Sequence, residues 1–228
     1  MLKPKKKVKI TKKELKQDKF VIFTLKAKDY IETHTKLITQ VSVGILVLIV
    51  LITLYVRSKH NANIQANALL GEAQIAQTTG NMQRAEEVLK QLVDEYDGTR
   101  AAGDGCFMLA KLYWERNDTT NAKTYFKKYF DDYADDDLLT AAAMAGYADC
   151  LMWEKNPAEA AKYYEKAARV SKDNPLTPSY LYSAASAYYD AGNFRKAREL
   201  AQELVDNYKN SQYKLQAEII IRMVEEKV

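Results

Sequence analysis

Apolar and polar positions divide this chain into two regimes. The first is one unbroken run that opens at Leu37 and closes at Val56, twenty residues without a charge, bounded by Lys36 and Arg57. At about 1.5 Å per residue, a helix of this length reaches the roughly 30 Å of a bilayer core. It therefore predicts a transmembrane helix. A cleavable signal has a shorter apolar stretch of about 7 to 15 residues close to the chain start, whereas here 36 residues precede the run, so an uncleaved anchor is expected. Beyond Arg57 the second regime begins, with apolar residues at helical spacing separated by polar ones. It also recurs. Ala85, Ala122, Ala160 and Ala197 stand 37, 38 and 37 residues apart, each near the start of the second helix of a helix-turn-helix unit. Such a period marks a repeat array, which buries its core between neighbouring hairpins and offers a long concave face. The pattern points to binding rather than to catalysis.

Turn residues punctuate the units. Residues 61–79 and 82–96 form the first expected pair, divided by Gly80 and Asn81: the glycine ends one helix in the left-handed conformation and the asparagine caps the next. Gly192 and Asn193 repeat this in the last pair. The third turn is Asn156-Pro157 with Glu159 three residues after the cap, and Thr177-Pro178 opens the first helix of the fourth pair in the same way. The second turn, Asn117-Asp118-Thr119-Thr120, has no glycine. A last helix over residues 211–226 places Tyr213, Ala217, Ile220 and Val224 on one side and covers the end of the array, while Ile219-Ile220-Ile221 is more apolar than one face needs. The expected fold is all-α: a tail and interfacial helix over residues 1–36, a transmembrane helix over 37–56, and over 61–228 an α-solenoid of about four helical hairpins plus a C-terminal capping helix.

Small and large residues alternate in a way that names a family. Ala110, Tyr113, Ala122 and Phe126 in the second unit, Ala148, Ala160, Tyr164 and Ala167 in the third, Ala185, Tyr188, Ala197 and Leu204 in the fourth, and Ala73, Ala85, Leu89 and Leu92 in the first carry the pattern. The chain from about residue 61 resembles tetratricopeptide repeat (TPR) proteins. Its units exceed the usual period of about 34 residues by roughly one helical turn. The resemblance implies that the first helix of each hairpin lines the groove, which would put Asn67, Leu70, Gln74, Phe107, Lys111, Trp114, Asp149, Met152, Tyr182 and Tyr189 on that face. Leu70, Phe107, Lys111, Trp114, Met152, Tyr182 and Tyr189 are the candidate partner-binding residues. Aromatic side chains in a groove anchor peptide segments, and methionine adapts to varied partners. In a chain with 16 Tyr, the same rings serve packing between units just as readily.

Charge assigns a side. Residues 1–36 hold twelve Lys against four acidic residues, net +8, and the remainder holds 22 Lys and Arg against 26 Asp and Glu, net −4. The positive-inside rule then expects a cytoplasmic amino terminus and repeats across the membrane. The tail through Lys9 is too charged to bury anything and is expected to be disordered. After it Thr11 and Glu14 have capping-box spacing, and Phe20, Phe23, Ala27 and Tyr30 recur at helical intervals, as in a helix lying along anionic headgroups. The layout resembles the single-pass inner-membrane TPR proteins that accompany the bacterial Sec translocon and hand secreted chains to periplasmic chaperones. That resemblance implies a non-enzymatic adaptor in an envelope protein complex. An adaptor in outer-membrane assembly or cell division, or an organellar import receptor with cytosolic repeats, are the alternatives.

Sequence chemistry adds little to binding. No phosphate loop, dinucleotide fingerprint, metalloprotease helix or nucleophile elbow occurs, so no catalytic residue, cofactor or metal is expected. The lysine tail has no arginine cluster and no nucleic-acid fold motif, and nucleic acid is not an expected partner. Gly103-Asp104-Gly105 is expected to be a turn opening the next helix. The run of aspartates from Asp131 to Asp137 lacks calcium-loop spacing and is expected to be a solvated loop whose last members favour the next helix. Cys106 and Cys150 are expected to pack as small apolar residues, and His34 and His60, which flank the anchor, to be exposed.

Overall fold

The computed structural model describes residues 12–170 and 174–227, with side chains from residue 19 on. The lysine tail through Lys9, and Thr11 with the side chain of Glu14, lie outside the described residues. Among those described there are ten α-helices and no strand. The chain divides into two compact units, residues 1–59 and residues 60–228.

The first unit contains α1 (Lys12–Thr33) and the opening part of α2 (Thr35–Thr78). Backbone hydrogen bonds from His34 N to Tyr30 O (3.0 Å) and from Ile38 N to His34 O (2.9 Å) carry the helical ladder past His34. The apolar run lies in α2, and none of its most apolar stretch is buried. Among the described residues α2 is the one helix long and apolar enough to cross a membrane. A new helix near Asn61 was expected, but α2 has no break there. Residues 57–63 contain neither glycine nor proline, so nothing ends the ladder.

In the second unit the remainder of α2 pairs with α3 (Met82–Glu95), α4 (Arg100–Glu115) with α5 (Thr119–Lys128), α6 (Asp137–Trp153) with α7 (Pro157–Val170), and α8 (Thr177–Asp190) with α9 (Phe194–Asn207). All four hairpin turns are one motif. Gly80 (φ 80°), Asn117 (61°), Lys155 (58°) and Gly192 (76°) are left-handed, at spacings of 37, 38 and 37. The next residue's N–H returns to a carbonyl five residues back in each case, from Asn81, Asp118, Asn156 and Asn193 at 2.8–2.9 Å. These are Schellman closures. The same four residues then cap the second helices, their side-chain oxygens accepting from Arg84, Asn121, Glu159 and Lys196 N–H groups at 3.1–3.3 Å. The turn without glycine thus matches the others, and Lys155 supplies a left-handed residue that sequence gave no reason to choose. At the fourth pair the cap position is Leu176 rather than Thr177, and Asn174 accepts from the Leu176 N–H at 2.8 Å.

The spaced alanines lie wholly inside the array: Ala85, Ala122, Ala160 and Ala197 are all 0% exposed. Small side chains at buried places let packed helices approach closely. Two large apolar clusters fill the remaining space, one joining α2 through α6 and the other α6 through α10, and Ala76, Ala85 and Leu112 form a small third. Cys106 and Cys150 are buried within the first.

Two local expectations are corrected. Gly103 and Gly105 stand inside α4, not in a turn before it. A Cβ at Gly105 would lie 2.8 Å from Leu92 Cδ2, and one at Gly103 would lie 3.1 Å from the Tyr133 ring, so their role is close packing. The aspartate stretch begins as helix rather than loop: α5 runs into a π turn at Tyr129–Tyr133, closed by left-handed Ala134, and Tyr129 is fully buried. Only Asp136 and Asp137 serve the next helix, Asp136 accepting from the N–H groups of Leu138 (2.9 Å) and Leu139 (3.0 Å).

The array ends on α10 (Lys214–Glu225), which buries Ala217, Ile220 and Val224. In register it is the first helix of a fifth pair. Where α8 carries the buried Leu181, Ala185 and Tyr188, α10 carries Glu218, Arg222 and Glu225. Charges at those three places suit an end face that meets water.

Candidate partner-binding face

Each first helix has one side outside the core. On α4 it consists of Asp104, Phe107, Met108, Lys111 and Trp114, at i, i+3, i+4, i+7 and i+10, while the rest of the helix from Ala101 to Tyr113 is buried. The turns fix the register of the other helices. Counting by 37 or 38 carries these positions to Ala145, Asp149 and Met152 on α6, where Ala145 is instead buried in the core, to Tyr182, Ser186 and Tyr189 on α8, and to Ile219 and Met223 on α10.

The seven candidate residues do not form one patch. Leu70 is 9% exposed and belongs to the first apolar cluster, which corrects its placement on an open face. Phe107 is half-buried, its ring edge-on to Phe126 (6.0 Å) and Tyr129 (5.7 Å), so it packs α4 against α5 as much as it faces outward. Trp114 is half-buried against the same cluster, and Met152 against the second. Lys111 is exposed and lines a 150 Å³ cleft with Met82, Met108 and Glu115. Asp149 turns toward the second helix of its own pair, where its carboxylate accepts the Tyr164 hydroxyl hydrogen bond. Burial raises the pKa of both groups above their ordinary values, and the hydrogen bond from Tyr164 partly offsets this at Asp149.

Tyr182 and Tyr189 come together. They line a 200 Å³ cleft between α8 and α10, with Ser186, Asp190, Ile219 and Met223. Tyr182 stacks on Tyr213 with ring centroids 5.5 Å apart, and Tyr189 meets Phe194 at 5.3 Å, so each ring is supported from one side and open to the cleft on the other. Ile219 (47% exposed) and Met223 (38%) are absent from the candidate residues, although the excess apolar character of Ile219-Ile220-Ile221 already marks the first of them. The signal was present: Ile219 follows Tyr182 by 37, the array's own period.

Ionic contacts gather on the other side. Glu86 accepts from Lys90 (2.7 Å), Tyr113 (2.8 Å) and Arg116, Glu165 accepts from Tyr188 (2.8 Å) and Lys196 (3.3 Å), and Arg169 pairs with Glu203. Several of these join a second helix to the following unit and leave the first-helix face with few fixed charges.

Stacked hairpins of this kind define a helical-repeat scaffold for protein–protein interaction. A family model described as "Tetratricopeptide repeat-like domain" matches residues 28–171, well over half of the chain, and one described as "Tetratricopeptide repeat" matches residues 139–210. The chain belongs to the tetratricopeptide repeat-like family. Among solved structures, it is similar to a tetratricopeptide repeat protein from Parabacteroides merdae (13% identity, TM-score 0.59, covering 71% of this chain and 60% of that one). It is also similar to BtubC from P. vanneervenii (15%, 0.54, 74% and 81%) and to YrrB, "a TPR protein with an unusual peptide-binding site" (20%, 0.51, 67% and 74%). At these identities the likeness is one of fold. No curated protein matches the sequence.

Proposed function

We propose that the chain is a membrane-anchored adaptor that binds segments of other proteins along the face of its first helices and performs no chemistry of its own. The observation that carries this reading is the cleft in which Tyr182, Tyr189, Ile219 and Met223 meet. Its 200 Å³ is smaller than the roughly 300–1,000 Å³ of small-molecule sites, and suits one large apolar side chain of a peptide. Asp190 at the rim favours a cation beside that side chain. The peptide-binding site named for YrrB supports an occupant of the same class.

Three observations support the anchor. The apolar part of α2 is wholly exposed; it has the length of a span; and the family match from residue 28 takes in the run together with the repeats. The lysine-rich segment before it favours a cytoplasmic amino terminus, with the repeats outside the cytoplasm in an envelope protein complex.

Site-specific photo-crosslinking in cells tests the face. A photoreactive residue at Tyr182 or Ile219 should capture a protein that one at Lys162, on α7, does not; capture from Lys162 alone sinks the groove reading. Protease treatment of intact spheroplasts tests the side: repeats digested without lysis support the extracytoplasmic placement, and repeats cut only after lysis exclude it.

A further inference from the structure

The end units of a repeat array need a polar outer face, and in the first unit an apolar seam runs through that face between polar residues. In α2 from His60 on, Ala66, Leu70 and Ala73 are buried in the cluster that includes Leu89 and Leu109. Ile64, Ala68, Gly71 and Ile75 stand on the opposite side of the helix. Ile64 is 57% exposed, Ile75 is 65% exposed, and a Cβ added at Gly71 would meet nothing within 4 Å. Their spacing of four, three and four residues is that of the seam in a two-stranded coiled coil, where residues of one helix fit between those of another.

Several features fit a second copy of the same helix. Gln65, Asn67 and Gln74 beside the seam carry no charge, and Glu72 is already paired with Arg84 at 2.6 Å, so an identical helix meets little like-charge repulsion. Asn61 occupies the preceding seam position. An asparagine there is best satisfied by its own counterpart, and in coiled coils it fixes both the two-stranded state and the register. The sequence keeps the same seven-residue spacing upstream at Val43, Val47, Val50 and Leu54, with Arg57 at the one position between them and Asn61.

We propose that this face pairs with the same face of a second copy, parallel and in register, making the protein a homodimer joined along residues 61–75 of α2. The parallel sense rests on the anchor reading, since two chains leaving one bilayer present α2 in the same direction. The pairing does not depend on the groove.

The test uses the full chain in native membranes, with single cysteines introduced at Ile64, Ala68, Gly71 and Ile75, at Asn67 and Gln74 as off-seam controls, and mild copper-catalysed oxidation. Disulfide-linked dimer should be several-fold more abundant for the four seam positions than for the two controls, with the unsubstituted chain giving the background of its buried thiols. Equal linking at all six positions, or none, overturns the proposal. Ala68→Glu, an exposed position, should keep full helicity while the detergent-solubilised chain falls from dimer to monomer mass; a mass unchanged by Ala68→Glu also overturns it. Alkaline washing of the same membranes separates the two readings. Protein that washes off but still links removes the anchor and spares the pairing, whereas protein that stays and does not link removes the pairing alone.

Discussion

Gly146 offers a mutation whose sign should depend on a single neighbour. A Cβ built on it would lie 2.5 Å from Phe126 Cζ, 2.7 Å from Cε2 and 2.8 Å from Cε1, and Phe126 is only 4% exposed, so its ring has little room to retreat. Alanine in place of glycine gains about 1 kcal/mol of helix propensity. Forcing a methyl into a filled core costs about 1–3 kcal/mol, so with a mid-range cost Gly146→Ala should lose a net ~1 kcal/mol. Phe126→Leu removes the ring carbons that the methyl would strike. In that background the propensity gain survives without the clash, and the same glycine-to-alanine change should stabilise by up to ~1 kcal/mol, a coupling of about 2 kcal/mol across the cycle. Helical circular dichroism of the detergent-solubilised chain during urea or thermal unfolding reads this directly, at about 2–4 °C per kcal/mol for a domain of this size. Alanine changing stability with the same sign in both backgrounds would refute the account of Gly146 as a packing glycine.

Three further expectations follow from the turns, the ion pairs and the thiols. Lys155→Gly should raise the urea midpoint by the equivalent of ~1 kcal/mol, because φ 58° costs a lysine what it does not cost a glycine; no gain would mean that the turn relaxes in solution. Lys90 above all, then Tyr113 and Arg116, hold the Glu86 carboxyl down at about 2, against burial, from an ordinary 4.5. A depressed folded value contributes stability in full above pH 4.5 that is lost as the pH falls through about 2, so Glu86→Gln should flatten that part of an acid unfolding profile; an unchanged acid limb would show that the ion pairs contribute nothing. Burial pushes the Cys106 and Cys150 thiols up to about 12, so at pH 8 neither should react with an aromatic disulfide reagent until the chain is denatured, when both should; fast labelling of the folded chain would contradict their burial.

The parts of this fold that were legible in sequence are those in which local chemistry and tertiary packing agree. Asn81 and Asn193 cap helices as read, each following a glycine that is left-handed as expected, and the spaced alanines mark close helix contacts. Lys155 was not legible, since its left-handed backbone comes from the hydrogen bond that Asn156 N–H makes to Leu151 O, not from any preference of lysine. Gly103 and Gly105 misled because glycine signals a turn locally, while here it admits Tyr133 and Leu92 from other helices. On the candidate face, the kind of side chain could be read and its direction could not. Phe107 and Tyr182 occupy equivalent places in their units, yet one ring is edge-on to Phe126 and Tyr129 while the other borders an open cleft. What lies beside each differs: Tyr182 stacks on Tyr213, and α10 borders its cleft with Gln216, Ile219, Ile220 and Met223.

Glu218, Arg222 and Glu225 make the length of the array an editable property. They stand where Leu181, Ala185 and Tyr188 stand one helix earlier, and what opposes another second helix there is the solvation of Arg222 and the ion pairs of Glu218 with Lys214 (3.9 Å) and of Glu225 with Arg198 (3.1 Å). Returning those positions to the apolar set and placing a copy of α9 with its turn after α10 would lengthen the described array by one helix. The cleft at Ile219 and Met223 would then lie inside the array instead of at its edge.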